Sequence, residues 1–244
     1  MRVVRSGPLV GMFAQFIVLA AVAAAVGLGP LGWVAGAAFA IVTMILLQHG
    51  LSSSGLSRYG PADWVTAGRT VLIGAIAALV VDGIQRTPPV AMVAGLVVVA
   101  LLLDGVDGQV ARRTKTTSAF GARFDMEADS FLVLVLSAYV AHTAGWWVLA
   151  IGAMRYAFLL GIWSTRWMRG TLPFRYWRKV VAATQGVALV TATAGVLPFR
   201  PTLVLLLVAF ALLLESFGRD VLWLWRAGHP VTRTRVIGRL VTRE

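Results

Sequence analysis

Asp104 and Asp107 stand three residues apart, and Asp125 and Asp129 stand four apart. On a helix, either spacing puts both side chains of a pair on one face. Gly108 and Ala111 continue the face of the first pair with small side chains, and Gly121 lies one turn ahead of the second. Two antiparallel helices joined by a short basic loop therefore can point four carboxylates into one pocket. Glu127 is rotated by about 160° from the line of Asp125 and Asp129, so it is left out of the site. Four converging carboxylates repel one another and need cations. The chain has no cysteine, and His49, His142 and His229 are far away in sequence, which leaves ligation to oxygen. Oxygen ligands select hard ions such as Mg²⁺, Mn²⁺ or Ca²⁺. Four carboxylates suit two such ions, and paired metals are a device for phosphoryl chemistry. The alternative is buried ion pairing with Arg112, Arg113, Lys115 and Arg123. That reading gives the shared face and its small residues no purpose.

The elements that must position these acids are membrane spans. Of the 244 residues, 59% are hydrophobic and 13% charged, against about 45–50% and about 25% in soluble domains. Such a chain is not disordered, because disorder needs low hydrophobicity. Without cysteine it is neither a disulfide scaffold nor a thiolate metal site. Apolar runs of about 20 residues, enough to cross the bilayer, occur at about 8–27, 31–48, 63–82, 89–108, 121–142, 145–164, 180–196 and 201–225. Breaks fall at Gly29-Pro30, Pro88-Pro89, and Pro198 with Pro201.

An even number of spans puts both termini on one side. Placing them in the cytoplasm leaves sixteen of the 22 Lys and Arg in cytoplasmic segments, with only Arg86 and Arg200 outside. That asymmetry is the positive-inside pattern. It explains the net charge of +12 without a nucleic-acid partner. The chain divides at a polar stretch after His49. The expected units are a transmembrane hairpin over 1–50 without chemistry of its own, a core over 51–226, and a basic cytoplasmic tail over 227–244.

Written out, Asp104-x2-Asp107-Gly108-x2-Ala111-Arg112, eight residues, then Gly121-x3-Asp125-x3-Asp129 resembles the signature of the CDP-alcohol phosphotransferases (class I), with every specified position matched. A weaker likeness precedes it. Pro61-Ala62-Asp63-Trp-Val-Thr66-Ala-Gly-Arg69 has one extra residue after the proline but keeps the Asp, Thr and Arg of the family's first core helix. The resemblance covers about residues 60–225 and leaves the hairpin outside. It implies an all-α integral membrane protein of about eight transmembrane helices. Six form the CDP-alcohol phosphotransferase core, behind the N-terminal two-helix hairpin.

The resemblance also implies an activity: transfer of a phosphatidyl group from a CDP-alcohol, foremost CDP-diacylglycerol, to the hydroxyl of a small polar alcohol, with release of CMP. Two ions, Mg²⁺ or Mn²⁺, would be held by Asp104, Asp107, Asp125 and Asp129, with Asp129 also the general base. Asp63, Thr66, Gly108, Ala111, Arg112, Ser118 and Gly121 match donor-binding positions. Arg155, Arg175, Arg178 and Lys179 are candidates for an anionic acceptor. The expected location is the bacterial cytoplasmic membrane, with the active site on the cytoplasmic side. Family members commonly form homodimers, and the small-residue faces allow one.

Other charges take plainer roles. Arg69 and Arg123 either contact substrate or neutralise the aspartates. Glu215 and Arg219 are spaced for a structural ion pair, and the tryptophans near span ends suit an interfacial belt. Two other functions stay open. A CDP-linked soluble head group could pass to a lipid acceptor such as diacylglycerol, or the intramembrane acids could line an ion-coupled transport path.

Overall fold

The computed structural model describes residues 6–54, 61–87, 89–114, 119–170, 172–173 and 175–228, with side chains left aside at 6–8, 51–54, 61–63, 107–114, 119–120 and 228. Eight α-helices follow one another: α1 (Ser6–Val26), α2 (Pro30–Ser54), α3 (Pro61–Asp82), α4 (Val90–Thr114), α5 (Ala119–Ala144), α6 (Leu149–Ser164), α7 (Tyr176–Ala194) and α8 (Phe199–Gly228). Short 3-10 turns, Trp146–Val148 and Trp167–Arg169, stand before and after α6. Pro30 and Pro61 open their helices, where a missing N–H costs nothing. Each expected span corresponds to one of these helices.

By length and composition, five segments among the described residues are able to cross a membrane. They are Leu9–Val26, Pro30–Gly50, Trp64–Asp82, Trp146–Ser164 and Phe199–Ala227, and Val90–Val106 is a shorter apolar helix. The shortfall from eight has a chemical cause. Asp104 and Asp107 end the apolar part of α4 early. Arg123, Asp125, Glu127 and Asp129 charge the start of α5, and Arg178 and Lys179 that of α7. The protein is an α-helical integral membrane protein. Its exposed surface is accordingly apolar, with Phe13, Ile17, Val34, Leu102, Leu160 and Val187 all more than 60% exposed. A soluble monomer would not tolerate such faces, whereas lipid covers them.

α3 is the central helix. It packs against α1, α2, α4 and α5, while α5 pairs with α6 and α7 with α8. In α3, 67% of the Trp64–Asp82 segment is buried, against 17–22% in the other four apolar segments. Ile73, Ala75, Ile76 and Leu79 of α3 meet Val93 and Val97 of α4 and Leu132 and Leu136 of α5 in the core. Aromatic contacts join outer elements: Phe39 of α2 stacks on Phe131 of α5, and Phe158 of α6 meets Phe217 of α8 edge-on.

The hairpin is fastened to the core by an acid that spacing did not single out. Asp82, at the end of α3 and buried, accepts hydrogen bonds from the Gly29 N–H at 3.1 Å and the Gly32 N–H at 3.4 Å. These N–H groups belong to the start of α2, where no intrahelical carbonyl serves them. A carboxylate is unfavourable at its own helix's C-terminus and favourable at another's N-terminus. That imbalance was the available signal, since an acid closing an apolar run needs an outside partner.

Candidate functional site

Alternation of direction along the bundle brings the start of α3, the end of α4 and the start of α5 to one end. α4 delivers Asp104 there, and α5 delivers Asp125 and Asp129. Carboxylate oxygens of these three residues lie within 4.8 Å of one another. Asp107 belongs to α4, one turn beyond Asp104, but its side chain lies outside the described residues. The same holds for the side chains of Asp63, Gly108, Ala111 and Arg112, and Ser118 lies outside altogether. Gly121, at the start of α5, is half-buried one turn before Asp125.

The charge that meets the carboxylates comes from α3. Arg69 donates through Nη1 to Asp104 and through Nη2 to Asp125, and its Nη2 lies 3.0 Å from Asp129 Oδ1. The Arg69 side chain is 1% exposed, while those of Asp104, Asp125 and Asp129 are 48%, 36% and 51% exposed. The arginine thus closes the floor of the cluster and the carboxylates open outward. Thr66, one turn ahead of Arg69 on α3, is buried. Of the two roles open to Arg69 in the sequence, neutralising the aspartates is the one seen.

Among the described side chains, Asp104, Asp125 and Asp129 all meet the guanidinium of Arg69. Two oxygens bound to one Mg²⁺ lie up to about 4.2 Å apart, twice its usual bond length. The observed spread is therefore close to what a hard divalent ion needs. All the donors are carboxylate oxygens, which suits Mg²⁺ or Mn²⁺ and not a softer metal.

The acceptor candidates fall in two places. Arg155 of α6 is ion-paired with Glu127 of α5, the acid that helical rotation had turned away from the other three. Arg178, near the start of α7, grips Asp220 of α8 with a two-pronged pair, Nε to Oδ2 and Nη2 to Oδ1, each 2.7 Å. Arg175 occupies the position just before α7 and is half-buried, and Lys179 is exposed. Glu215 pairs with Arg219, as its spacing implied, and also accepts from Trp177 Nε1 at 2.9 Å. The Arg178–Asp220 bond was not legible beforehand, because 42 residues separate the partners. A narrow apolar cleft lined by Met12, Gln15, Phe39, Met44 and Trp64 lies between the hairpin and α3, apart from the carboxylates.

Comparison with known proteins meets this geometry from another side. Residues 60–224 match a family model described as CDP-alcohol phosphatidyltransferase. Two relatives are each named CDP-diacylglycerol--serine O-phosphatidyltransferase, from Helicobacter pylori strains 26695 and J99. The first is 49% identical over 51 residues, 21% of this chain and 22% of the relative. The second is 46% identical over 68 residues, 26% of this chain and 29% of the relative. The matched stretches thus span less than a third of either relative. No solved structure matches the chain.

Proposed function

The chain belongs to the CDP-alcohol phosphatidyltransferase family, and on that premise we propose that it transfers a phosphatidyl group from CDP-diacylglycerol to the hydroxyl of a small polar alcohol, releasing CMP. The observation that carries this reading is the meeting of Asp104, Asp125 and Asp129 at one end of the bundle, each half-open to substrate. The names of the two relatives favour CDP-diacylglycerol as donor and put serine first among the acceptors to be tried.

In this reading Asp104, Asp107, Asp125 and Asp129 hold two divalent ions, Mg²⁺ or Mn²⁺. When bound, such ions polarise the diphosphate and offset the charge that develops on the leaving group. The chain's own groups do the rest. Asp129 takes the proton from the acceptor hydroxyl. The acceptor oxygen forms its bond to the phosphorus that carries diacylglycerol, and the bond from that phosphorus to the bridging oxygen breaks. CMP departs with that oxygen. Asp63, Thr66, Arg112 and Ser118 bind the donor, the Arg112 fork suiting phosphate oxygens. Gly108, Ala111 and Gly121 leave room for the nucleotide against the helix backbones. Arg155, Arg175, Arg178 and Lys179 supply positive charge for an anionic acceptor.

The core of the enzyme is proposed to run over 51–226, with the active site and both termini in the cytoplasm and a homodimer as the assembly. The test is a substrate panel on purified protein in lipid. Labelled CDP-diacylglycerol is offered with serine, glycerol 3-phosphate, inositol or inositol phosphate, with and without Mn²⁺, and the product lipid is identified. A metal-dependent phosphatidyl product with release of CMP is expected. Product formed only from CDP-linked soluble donors and diacylglycerol would move the lipid to the acceptor side. Absence of CMP release from every pair would overturn the reading.

A further inference from the structure

Arg69 is the largest side chain among the described residues with less than 2% exposure. It also touches three of the carboxylates that could ligate a metal. A guanidinium and a divalent ion that draw on the same three carboxylates compete for them. An ion bound there would set a double positive charge beside a buried single one, and like charges at that range repel. Metal entry therefore weakens the hold of Arg69 on Asp104, Asp125 and Asp129.

We propose that Arg69 is a displaceable internal cation. It holds the metal-free carboxylates together, yields them when a divalent ion enters, and turns its fork to the diphosphate of the donor. This rests on the metal site of the proposed function, and goes beyond it by making metal entry and donor binding mutually dependent. Three features support the exchange. The carboxylates remain exposed on the side away from Arg69, so an ion has a path to them. The carboxylate oxygens lie within 4.8 Å of one another, a spread that one hard ion can draw together. The planar guanidinium that bridges several carboxylate oxygens is equally suited to two phosphate oxygens. Arg69 acts here as a positioning residue, through the carboxylates and the donor phosphate.

The consequence is measurable without turnover. Mn²⁺ binding is followed by electron paramagnetic resonance of the free ion, using the full chain in detergent and no nucleotide. Wild type is compared with Arg69→Gln, which keeps polarity but loses the charge, and with Arg69→Lys, which keeps the charge but loses the fork. Arg69→Gln is expected to bind Mn²⁺ about tenfold more tightly than wild type, with Arg69→Lys between them. Adding cytidine diphosphate should narrow the gap, because it gives the wild-type arginine a second partner. Equal or weaker Mn²⁺ binding in Arg69→Gln would overturn the proposal and leave the metal reading intact. Absence of Mn²⁺ binding in wild type and both variants would overturn the metal reading itself. Where Arg69→Gln does not fold, Arg69→Lys decides, together with the rise in its melting temperature on adding Mn²⁺. A larger rise than in wild type supports displacement, and an equal or smaller one overturns it.

Discussion

Asp129 has the most exposed side chain of the three clustered aspartates and the longest contact with Arg69. It is thus the carboxylate least committed to holding the cluster, which suits a group that must take a proton. Asp129→Asn keeps the shape and removes the basicity, so CMP release should fall by about a hundredfold to ten-thousandfold, the usual range for a general base. Circular dichroism and melting temperature should stay near wild type, and unchanged turnover would remove Asp129 from the role. A second residue-level expectation concerns Arg155. Arg155→Ala should raise KM for an anionic acceptor more than KM for CDP-diacylglycerol. Because Glu127 holds Arg155, Glu127→Gln should produce the same bias in milder form; equal effects on both substrates would dissociate the pair from the acceptor. At this scale the sequence was legible where partners are near in the chain. The i, i+3 and i, i+4 spacings disclosed which aspartates share a face. They did not disclose which cation meets them, since Arg69 lies 35 residues from Asp104 and 56 from Asp125. Only the packing of α3 against α4 and α5 decides that.

Helix positions were legible because proline and glycine interrupt long apolar runs, and each run became a helix. What composition did not disclose is rank. α3 is less apolar than α1 and α2, yet it is the buried one, because four helices pack around it. Close crossings also escape composition, since they depend on single glycines. At Gly152 of α6, any side chain would run into the backbone of α5 at Leu134. Gly152→Val should therefore force α5 and α6 apart and cost about 1–3 kcal/mol, as overpacking does. A melting curve in detergent with no loss of stability would show that the crossing can relax. At Gly74 of α3, a side chain would meet Phe39 of α2 and the amide of the buried Gln15 of α1. Gly74→Leu should loosen the hairpin from the core, read as faster proteolysis within residues 27–29, the α1–α2 connection.

For the molecule as a whole, the absence of cysteine gives a clean background for mapping sides. Ile84, just beyond α3, is 68% exposed, and Trp163, near the end of α6, is 79% exposed, at opposite ends of the bundle. A membrane-impermeant maleimide applied to intact cells should label Ile84→Cys and should reach Trp163→Cys only after permeabilisation. The reverse pattern would invert the proposed orientation. The Asp82 bond to the start of α2 adds an order in time. Its partners are separated by 53 residues, so during synthesis the head of α2 emerges well before the carboxylate that serves it. Those N–H groups must rely on interfacial water until α3 is complete. The hairpin can insert first, but it cannot lock until the central helix has been made, which gives α3 a second duty as the clasp that finishes assembly.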